Sequence, residues 1–336
     1  MQSILLGSRL LIMKKVYVSR AISDKGIELL RRQCDVRVQA ADRPATREEL
    51  LEGADWADGL LSMLCDKIDE EVLSAGGGLK AVANYAVGYD NIDLAAAGRL
   101  GVGVSNTPDV LTHATAEMAW ALLFAVARQV VPSDRLMRSG RWQGWAPMEF
   151  VGCDVTGKTL GIIGAGRIGT AMGLMSSGFG MKVIYWNRSA SPRLEEGVGA
   201  QRVELDQLIE ESDFISLHLP LNDTSRHLIG KPQFEAMKPT SCLINTGRGA
   251  LIDEAALVDA LRKGKIAGAG LDVYEFEPAM SKGLADLDNV VITTHTGSAT
   301  SGSRGDMAVM AAENLIAMLD GRAGAQCLNA KVFRHG

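Results

Sequence analysis

A glycine-rich segment, GAGRIG at residues 164–169, constrains the fold of this chain more than any other feature. It follows the apolar run TLGII (159–163) and opens the helical pattern IGTAMGLMSSGF (168–179). In a strand–turn–helix unit, Gly164 permits the tight turn, Gly166 lets a pyrophosphate approach the backbone, and Gly169 allows close packing of helix on strand. The segment therefore predicts a dinucleotide-binding βαβ unit, with the cofactor contacting Gly164, Ala165, Gly166, Arg167 and Ile168.

A second glycine motif lies just upstream and predicts nothing of this kind. Residues 152–159, GCDVTGKT, fit the phosphate-loop pattern G-x-x-x-x-G-K-T. That pattern binds phosphate only where a strand precedes the loop and a helix follows it. Here the loop leads into the strand TLGII, so we expect a turn entering a sheet and reject a phosphate-loop ATPase or kinase.

Short apolar runs alternate with helical patterns along the whole chain. Before residue 107 the predicted strands are KKVYVS (14–19), CDVRVQ (34–39), GLLSML (59–64), LKAVANY (79–85) and GVGVSN (101–106). After TLGII come KVIYWNR (182–188), DFISLHLP (213–220), SCLINTGRG (241–249), IAGAGLDVY (266–274) and NVVITTH (289–295). Two such series predict an α/β protein with two Rossmann-like, doubly wound parallel-sheet domains. We place the first domain at 1–109 plus 299–336, and the second, inserted into it, at 110–298.

Two helices bear on this organisation. Thr112 is the expected N-cap of HATAEMAWALLFAVARQVV (113–131), a helix that is apolar around most of its circumference. Such a helix must be buried on several sides, which favours a place between domains and at a subunit interface. The stretch 303–319 is amphipathic and is expected to pack back on the first domain.

The turn after the second strand of the dinucleotide unit lacks an acid. An Asp or Glu there hydrogen-bonds the ribose hydroxyls of NAD, whereas this chain has Asn187, Arg188 and Ser189. Arg188 can pair with a 2′-phosphate through charge-assisted hydrogen bonds, and its neighbours add donors. The turn therefore favours NADP(H), with NAD(H) also possible; an exposed arginine without a ligand is the alternative.

The net charge and the spacing of possible metal ligands exclude several classes of protein. The chain has 336 residues and a formal charge of −5, so no basic field draws it to nucleic acid or anionic lipid. No run reaches the length of a membrane span. The five cysteines are scattered and the five histidines lack metal-ligand spacing, which predicts no metal site and fits a reducing cytoplasm. For residues 1–13 we expect an upstream start codon, with Met13 the natural start, rather than a signal peptide.

Three polar residues stand at or after late strand ends, where ligands collect in such sheets. They are Arg248 in NTGRGALID, Glu277 in LDVYEFEP and His295 in TTHTGSAT. His218 lies within the apolar run FISLHLP and is instead expected to be a hydrogen-bonded core histidine. His113 and His227 are assigned to a helix or a loop.

These motifs resemble one family along nearly all of residues 14–325. NYAVGYDNIDL, NTPDVLTHATAEMAWALL, GKTLGIIGAGRIG, INTGRGALIDEAAL, AGAGLDVYEFEP and DNVVITTHTGSAT occur in the order found in the D-isomer-specific 2-hydroxyacid dehydrogenases, and most resemble the glyoxylate/hydroxypyruvate reductase branch. The resemblance implies a homodimer that reduces small 2-keto acids with a nicotinamide cofactor. It also implies cofactor contacts at Thr246, Gly247, Asp272, His295 and Gly297.

The family's Arg, Glu and His fall on Arg248, Glu277 and His295. His295 as imidazolium would give the carbonyl oxygen its proton, Glu277 would hold the other ring nitrogen, and Arg248 would bind the substrate carboxylate. The resemblance further implies that the backbone N–H groups of Val87 and Gly88 bind this carboxylate from the other domain. The Trp142/Trp145 pair is assigned to the dimer contact.

One departure and two alternatives stay open. The family commonly has proline before the catalytic histidine and an apolar residue after it, where this chain has Thr294 and Thr296, which leaves the rigidity of the loop uncertain. The enzyme alternative is another D-2-hydroxyacid dehydrogenase, of the lactate or phosphoglycerate type. The non-enzyme alternative is a dinucleotide-sensing binding protein of the same fold.

Overall fold

The computed structural model describes residues 13–333. The expectation for the start of the chain concerns residues 1–13, of which all but Met13 lie outside the described residues. The chain forms two compact units, one built from residues up to Val110 together with those from Ser301, the other from Leu111–Thr300. The second unit is thus inserted into the first along the chain.

The first unit contains a five-stranded, fully parallel sheet. Its strands are β1 (Lys14–Val18), β2 (Cys34–Val38), β3 (Gly59–Ser62), β4 (Ala81–Asn84) and β5 (Gly103–Ser105). They lie in the order β2-β1-β3-β4-β5, in which the chain reverses direction across the sheet beside its first strand. This is a doubly wound order, as the strand–helix alternation predicts.

Helices cover both faces of this sheet, as parallel sheets require. They are α1 (Asp24–Arg31), α2 (Arg47–Trp56), α3 (Glu70–Ser74), α4 (Leu94–Leu100) and α12 (Ser301–Leu319). The packing of the last helix on the first unit is confirmed, because α12 lies against α1, β3 and β4. At their closest approach, a Cβ on Gly26 would lie 2.5 Å from the Ala308 carbonyl oxygen, so only glycine fits there.

The second unit contains a seven-stranded parallel sheet. Its strands are β6 (Thr159–Ile163), β7 (Lys182–Trp186), β8 (Gln201–Arg202), β9 (Phe214–Leu217), β10 (Cys242–Asn245), β11 (Gly268–Leu271) and β12 (Val290–Ile292). The order is β12-β11-β10-β9-β6-β7-β8, with the switch point between β6 and β9. The fold class is confirmed. The expected count of six strands was wrong, because β8 is a two-residue exposed edge strand without an apolar signal.

Seven helices accompany this sheet within the described residues. They are α5 (Thr112–Ala127), α6 (Val130–Arg138), α7 (Arg167–Met175), α8 (Pro192–Val198), α9 (Leu205–Glu211), α10 (Lys231–Ala236) and α11 (Glu254–Arg262). The phosphate-loop match is confirmed as a turn: Gly157 has a φ of 72°, the Lys158 N–H donates to the Val155 carbonyl, and β6 begins at Thr159.

Two expectations about the long apolar helix were wrong. Leu111, not Thr112, is the N-cap, and no side chain caps the helix there. The helix also does not continue to residue 131, because Gln129 adopts a φ of 51° and the chain bends by 67° between α5 and α6. The apolar circumference of α5 is explained by its packing against α7, β10 and β11.

Membrane-span criteria give a narrow result. Within residues 13–333 no single helix is both long and apolar enough to cross a bilayer, although the bent pair α5–α6 would pass by length and composition.

Candidate active site

The glycine turn after β6 has the backbone conformation that its sequence predicts. Gly164 has a φ of 98°, and a Cβ there would lie 2.8 Å from the His218 carbonyl oxygen. A Cβ on Gly169 would come within 2.1 Å of the Gly164 carbonyl oxygen, so helix and turn touch at this glycine. At Gly166, the N-cap of α7, a Cβ would meet no atom within 4 Å. The turn therefore leaves space above the first turn of α7, where N–H groups attract phosphate.

The turn after β7 carries the residues that would face the ribose. Arg188 and Ser189 are exposed, while the Asn187 side-chain amide donates to the Ser189 carbonyl at 3.0 Å. Arg202 on β8 donates to the carbonyls of Asn187 and Arg188 at 3.0 and 2.9 Å. Arg202, which no sequence motif marks, fixes the backbone of this turn and adds a second positive charge beside Arg188.

The three predicted catalytic residues lie on one edge of the sheet. Arg248 follows the end of β10, Glu277 follows β11, and His295 follows β12. Because all strands are parallel, these loops emerge at the same edge as the glycine turn after β6.

Two of these residues form a close pair. The His295 Nδ1 lies 2.9 Å from Glu277 Oε2, and both side chains are about three-quarters buried. Glu277 Oε1 accepts the Tyr274 N–H at 3.0 Å, which leaves Oε2 directed at the ring. A carboxylate on Nδ1 fixes the tautomer and ring orientation and leaves Nε2 for another partner.

The surroundings of Glu277 favour its ionised form. Burial, the largest single influence, would raise the pKa of this carboxyl, and the hydrogen bond and charge of His295 oppose it. The Tyr274 N–H and the nearby Arg248 guanidinium act in the same direction, so the pKa lies below its usual value. A carboxylate that stays ionised stabilises a protonated imidazole beside it.

Asp272 holds the loop that carries His295. Its buried carboxylate accepts the N–H groups of Thr296 and Gly297 at 2.8 and 2.7 Å, and the Thr293 hydroxyl at 2.6 Å. These bonds maintain His295 at a φ of 55°, which is unusual for a residue other than glycine. The Thr296 hydroxyl also lies 3.3 Å from Asp272, so a threonine after the histidine adds a tie to this loop.

A second buried carboxylate, Glu254 at the start of α11, holds the loop that carries Glu277. It accepts the Glu275 N–H at 2.8 Å and, through its other oxygen, the Ser281 N–H. Glu254 is 2% exposed, and these two N–H groups flank Glu277. No sequence motif marks this residue, because a glutamate in the first turn of a helix is usually a solvated charge.

The loop carrying Arg248 lies directly against the same segment. A Cβ on Gly249 would lie 1.8 Å from the Tyr274 carbonyl carbon, so the two backbones touch. The Arg248 carbonyl accepts from the buried Asn245 amide at 2.8 Å, and the guanidinium donates to the Gly247 carbonyl at 2.9 Å. Arg248 is half-buried, and its charge acts on Glu277.

One buried hydroxyl at this edge lacks a partner. Among the described residues, the Thr246 Oγ1 makes no hydrogen bond, although the side chain is buried. Buried polar atoms are rarely left unpaired. An orphaned hydroxyl, the open space at Gly166 and the glycine contacts fit the outline of a dinucleotide, so the residues present suit such a cofactor.

The remaining predicted substrate residues belong to the first unit. Buried amides of Asn84 and Asn106 donate to the carbonyls of Gly88 and Val87 at 2.9 and 2.7 Å. The backbone N–H groups of Val87 and Gly88 have no hydrogen-bond acceptor within residues 13–333. Two adjacent half-buried N–H groups of this kind can bind an anion.

Other histidines have structural partners. His218 contacts the Ser216 hydroxyl at 2.9 Å and the Met172 sulfur at 3.2 Å, which confirms it as hydrogen-bonded. His227 lies in a loop with a φ of 53° and pairs with Glu275 at 2.6 Å.

The His218 environment predicts acid sensitivity. Burial lowers the pKa of His218 to about 4. The unfolded chain binds this proton below about pH 6.5 whereas the folded chain does not until about pH 4, so stability falls as the pH drops through that window. We expect up to about 3 kcal/mol of the acid loss to disappear in His218→Gln, measured by urea unfolding at pH 7 and pH 4.5. Parallel pH profiles for the two proteins would contradict this assignment.

Known proteins share this sequence and arrangement. The model of the D-isomer specific 2-hydroxyacid dehydrogenase, NAD binding domain, matches residues 120–297. The glyoxylate reductase of Thermococcus onnurineus is 47% identical over 95% of this chain and 97% of its own length.

Solved structures agree in fold. A Thermus thermophilus protein is 41% identical with a TM-score of 0.87, over 94% of this chain and 99% of its own. The NADPH-dependent glyoxylate/hydroxypyruvate reductase of Sinorhizobium meliloti, in complex with NADP and malonate, is 30% identical with a TM-score of 0.83, over 96% of this chain and 99% of its own. The chain belongs to the D-isomer specific 2-hydroxyacid dehydrogenase family, in the branch of the glyoxylate reductases that it resembles.

Proposed function

We propose that this protein reduces small 2-keto acids, glyoxylate and hydroxypyruvate foremost, to 2-hydroxy acids, with NADPH preferred over NADH. The observation that carries the proposal is the His295–Glu277 pair, 2.9 Å apart on the sheet edge that also carries Arg248 and the glycine turn. A relative named glyoxylate reductase at 47% identity supports the substrate class.

We assign donation of the proton to His295. Reduction of a ketone places negative charge on the carbonyl oxygen, and a protonated imidazole can neutralise it. The carboxylate of Glu277 on Nδ1 keeps the ring oriented, so that Nε2 presents the proton. The Asp272 and Glu254 hydrogen bonds to the two loops hold this geometry.

We assign binding of the substrate carboxylate to Arg248 and to two backbone N–H groups. A guanidinium binds a carboxylate through two parallel hydrogen bonds, which orients the keto carbon as well as attracting the anion. The N–H groups of Val87 and Gly88 are proposed to bind the same carboxylate. The Sinorhizobium meliloti relative was solved in complex with malonate, a small dicarboxylic acid, which supports this proposal.

A nicotinamide dinucleotide supplies the hydride when bound. We propose that the first turn of α7 binds its pyrophosphate and that further contacts come from residues on the same sheet edge: Gly164, Ala165, Gly166, Arg167, Ile168, Asn187, Arg188, Ser189, Thr246, Gly247, Asp272, His295 and Gly297. The Thr246 hydroxyl, buried without a partner, would then gain one.

Arg188 is expected to set the choice of cofactor. Arg188→Ala should raise the Kd for NADPH by about 10- to 100-fold, since it removes a charge-assisted phosphate contact, and leave that for NADH within about twofold. Titration of nicotinamide fluorescence measures both constants. Arg193→Ala, an exposed arginine on the neighbouring α8, is the matched control. Equal losses for both cofactors, or none, would remove Arg188 as the phosphate partner.

We further propose that the protein acts in the cytoplasm as a homodimer. Trp142 and Trp145 are 49% and 84% exposed in a loop that also exposes Met148, and such a patch suits a subunit contact. The five cysteines, all thiols within the described residues, suit a reducing compartment.

Turnover tests the proposal. Purified protein is mixed with NADPH or NADH and each of glyoxylate, hydroxypyruvate, pyruvate and 2-ketobutyrate, and cofactor oxidation is followed by absorbance. We expect the highest kcat/KM with NADPH and glyoxylate or hydroxypyruvate. A higher value with pyruvate would favour the lactate-type alternative, and cofactor binding without oxidation by any acid would favour a sensing protein.

A further inference from the structure

Two cysteines line one cavity at the edge of the second unit opposite to the candidate active site. Cys242 is the first residue of β10, whereas Arg248 follows the last, so the length of the strand separates the two places. Cys153 lies in the loop that precedes β6. Both residues line a cavity of about 220 Å³, which is also lined by Ala127, Pro132, Val151 and Val291.

The two cysteines differ in burial but line the same cavity and pack in the same apolar cluster. Cys242 is 2% exposed, while Cys153 is half-buried and thus within reach of a small solute. Cys242 lies close enough to Cys153 to act on the ionisation of its thiol. The arrangement pairs an accessible sulfur with a buried one, rather than presenting two separate thiols.

Charge and hydrogen bonding favour the thiolate at Cys153. The hydrogen bond from Cys242 lowers the pKa of Cys153 most, burial opposes it, and Lys158 lowers it further against Asp154, with a result of about 7. The same contact and burial raise the pKa of Cys242. Asp288 is a charged residue that lines the cavity itself. Near neutral pH, therefore, one sulfur is nucleophilic and its neighbour keeps its proton.

We propose that Cys153 and Cys242 form a peroxide-sensitive dithiol site, in which Cys153 is oxidised first and Cys242 resolves it to a disulfide. The Cys153 thiolate attacks a peroxide oxygen; the O–O bond breaks, the sulfur becomes a sulfenic acid, and the other oxygen leaves as water or an alcohol after taking a proton. The Cys242 sulfur then attacks the sulfenic sulfur, forming the S–S bond as the hydroxyl leaves with the thiol proton as water. Two thiols are oxidised and one peroxide is reduced.

The second step requires one of the two sulfurs to move. A disulfide needs its sulfurs about 2.05 Å apart, so the two sulfurs must come closer together than any non-bonded contact allows. Cys242 is fixed in the centre of the sheet, between β9 and β11. Cys153 lies in a loop outside helix and strand and is held through its N–H to the Ala127 carbonyl, so the movement falls on the loop.

Peptide mapping after hydrogen peroxide treatment tests the proposal in the full-length protein. In the wild type we expect a loss of two hydrogen atoms and a linked Cys153–Cys242 peptide that dithiothreitol separates. In Cys242→Ser the sulfenic acid should persist at Cys153 and be trapped by dimedone, whereas Cys153→Ser should form neither product. Cys65→Ser, which changes an exposed cysteine, should behave like the wild type.

Oxidation rates of individual cysteines in the wild-type protein add a second readout. This readout stays informative even if a cysteine variant fails to fold. The lowered pKa gives Cys153 more thiolate at neutral pH than an ordinary thiol has, although a thiolate of lower pKa is also a weaker nucleophile. We expect Cys153 to be oxidised about threefold faster than Cys65, and we expect Lys158→Gln to slow the oxidation of Cys153. Peroxide that oxidises Cys65 while Cys153 and Cys242 both stay alkylatable would overturn the proposal. These readouts are masses, so they are independent of whether the protein reduces keto acids.

Discussion

His295→Asn is expected to lower kcat for keto acid reduction by about 10²- to 10⁴-fold, the range typical of a lost general acid. Asparagine is chosen because it tolerates a positive φ, which is 55° at this position, so the loop should keep its conformation. The Kd for NADPH should change much less than kcat. Stopped-flow mixing of the NADPH complex with glyoxylate separates hydride transfer from binding.

The chain itself provides a matched control for this experiment. His227 also has a positive φ, 53°, and also pairs with a glutamate, Glu275, at 2.6 Å. His227→Asn should leave kcat within about twofold, because the proposal gives this histidine no proton to transfer. Glu277→Gln should lower kcat too, and the loss should not add to that of His295→Asn, since the two side chains act as one unit. Full activity in His295→Asn would remove this residue as the proton donor.

Arg248→Ala is expected to lower kcat/KM by about 10²- to 10³-fold, which corresponds to about 3–4 kcal/mol of lost carboxylate binding. Arg248→Lys keeps the charge but loses the two parallel hydrogen bonds, so we expect an intermediate loss of about tenfold, mostly in KM. Steady-state kinetics with glyoxylate at saturating NADPH measures both parameters.

An arginine outside the site controls for the loss of surface charge. Arg99 on α4 forms an exposed ion pair with Glu70 at 3.0 Å, and Arg99→Ala should leave kcat/KM unchanged within experimental scatter. If Arg248→Lys retained full kcat/KM, a bidentate grip on the carboxylate would be excluded. If Arg248→Ala did so, the residue would have no part in substrate binding.

The strand–helix alternation was enough to predict the fold class, because strands buried on both faces leave a strong apolar signal. Ten predicted runs besides TLGII correspond to β1–β5, β7 and β9–β12. The edge strand Gln201–Arg202 has no such signal and escaped prediction. The break after α5 also escaped prediction, because it depends on a positive φ at Gln129. Glutamine is a residue type that also suits a helix interior.

The site was predictable where a motif fixes residue types at strand ends. The glycine turn, Arg248, Glu277 and His295 all come from such motifs and lie on one sheet edge. The buried carboxylates that hold the loops could not be predicted in the same way. Glu254 bonds to N–H groups 21 and 27 residues away, and Asp272 to one 24 residues away, and only the folded chain brings them together.

The loop after β12 shows what the sequence comparison left open. The absence of proline before His295 raised the question of how rigid the loop is. In the structure, Asp272 accepts both N–H groups that follow His295, and the Thr296 hydroxyl adds a further contact. Hydrogen bonds to a buried carboxylate thus replace the restriction that a proline ring would give.

The amount of glycolate formed per NADPH consumed tests the proposed reduction of glyoxylate most directly. Purified protein is incubated with glyoxylate and NADPH, the cofactor is followed by absorbance, and glycolate is quantified by proton NMR in the same sample. We expect the proposed reaction to form one glycolate per NADPH oxidised, and both changes should be lost together in His295→Asn. Consumption of NADPH without glycolate, or binding of NADPH with no consumption, would contradict it.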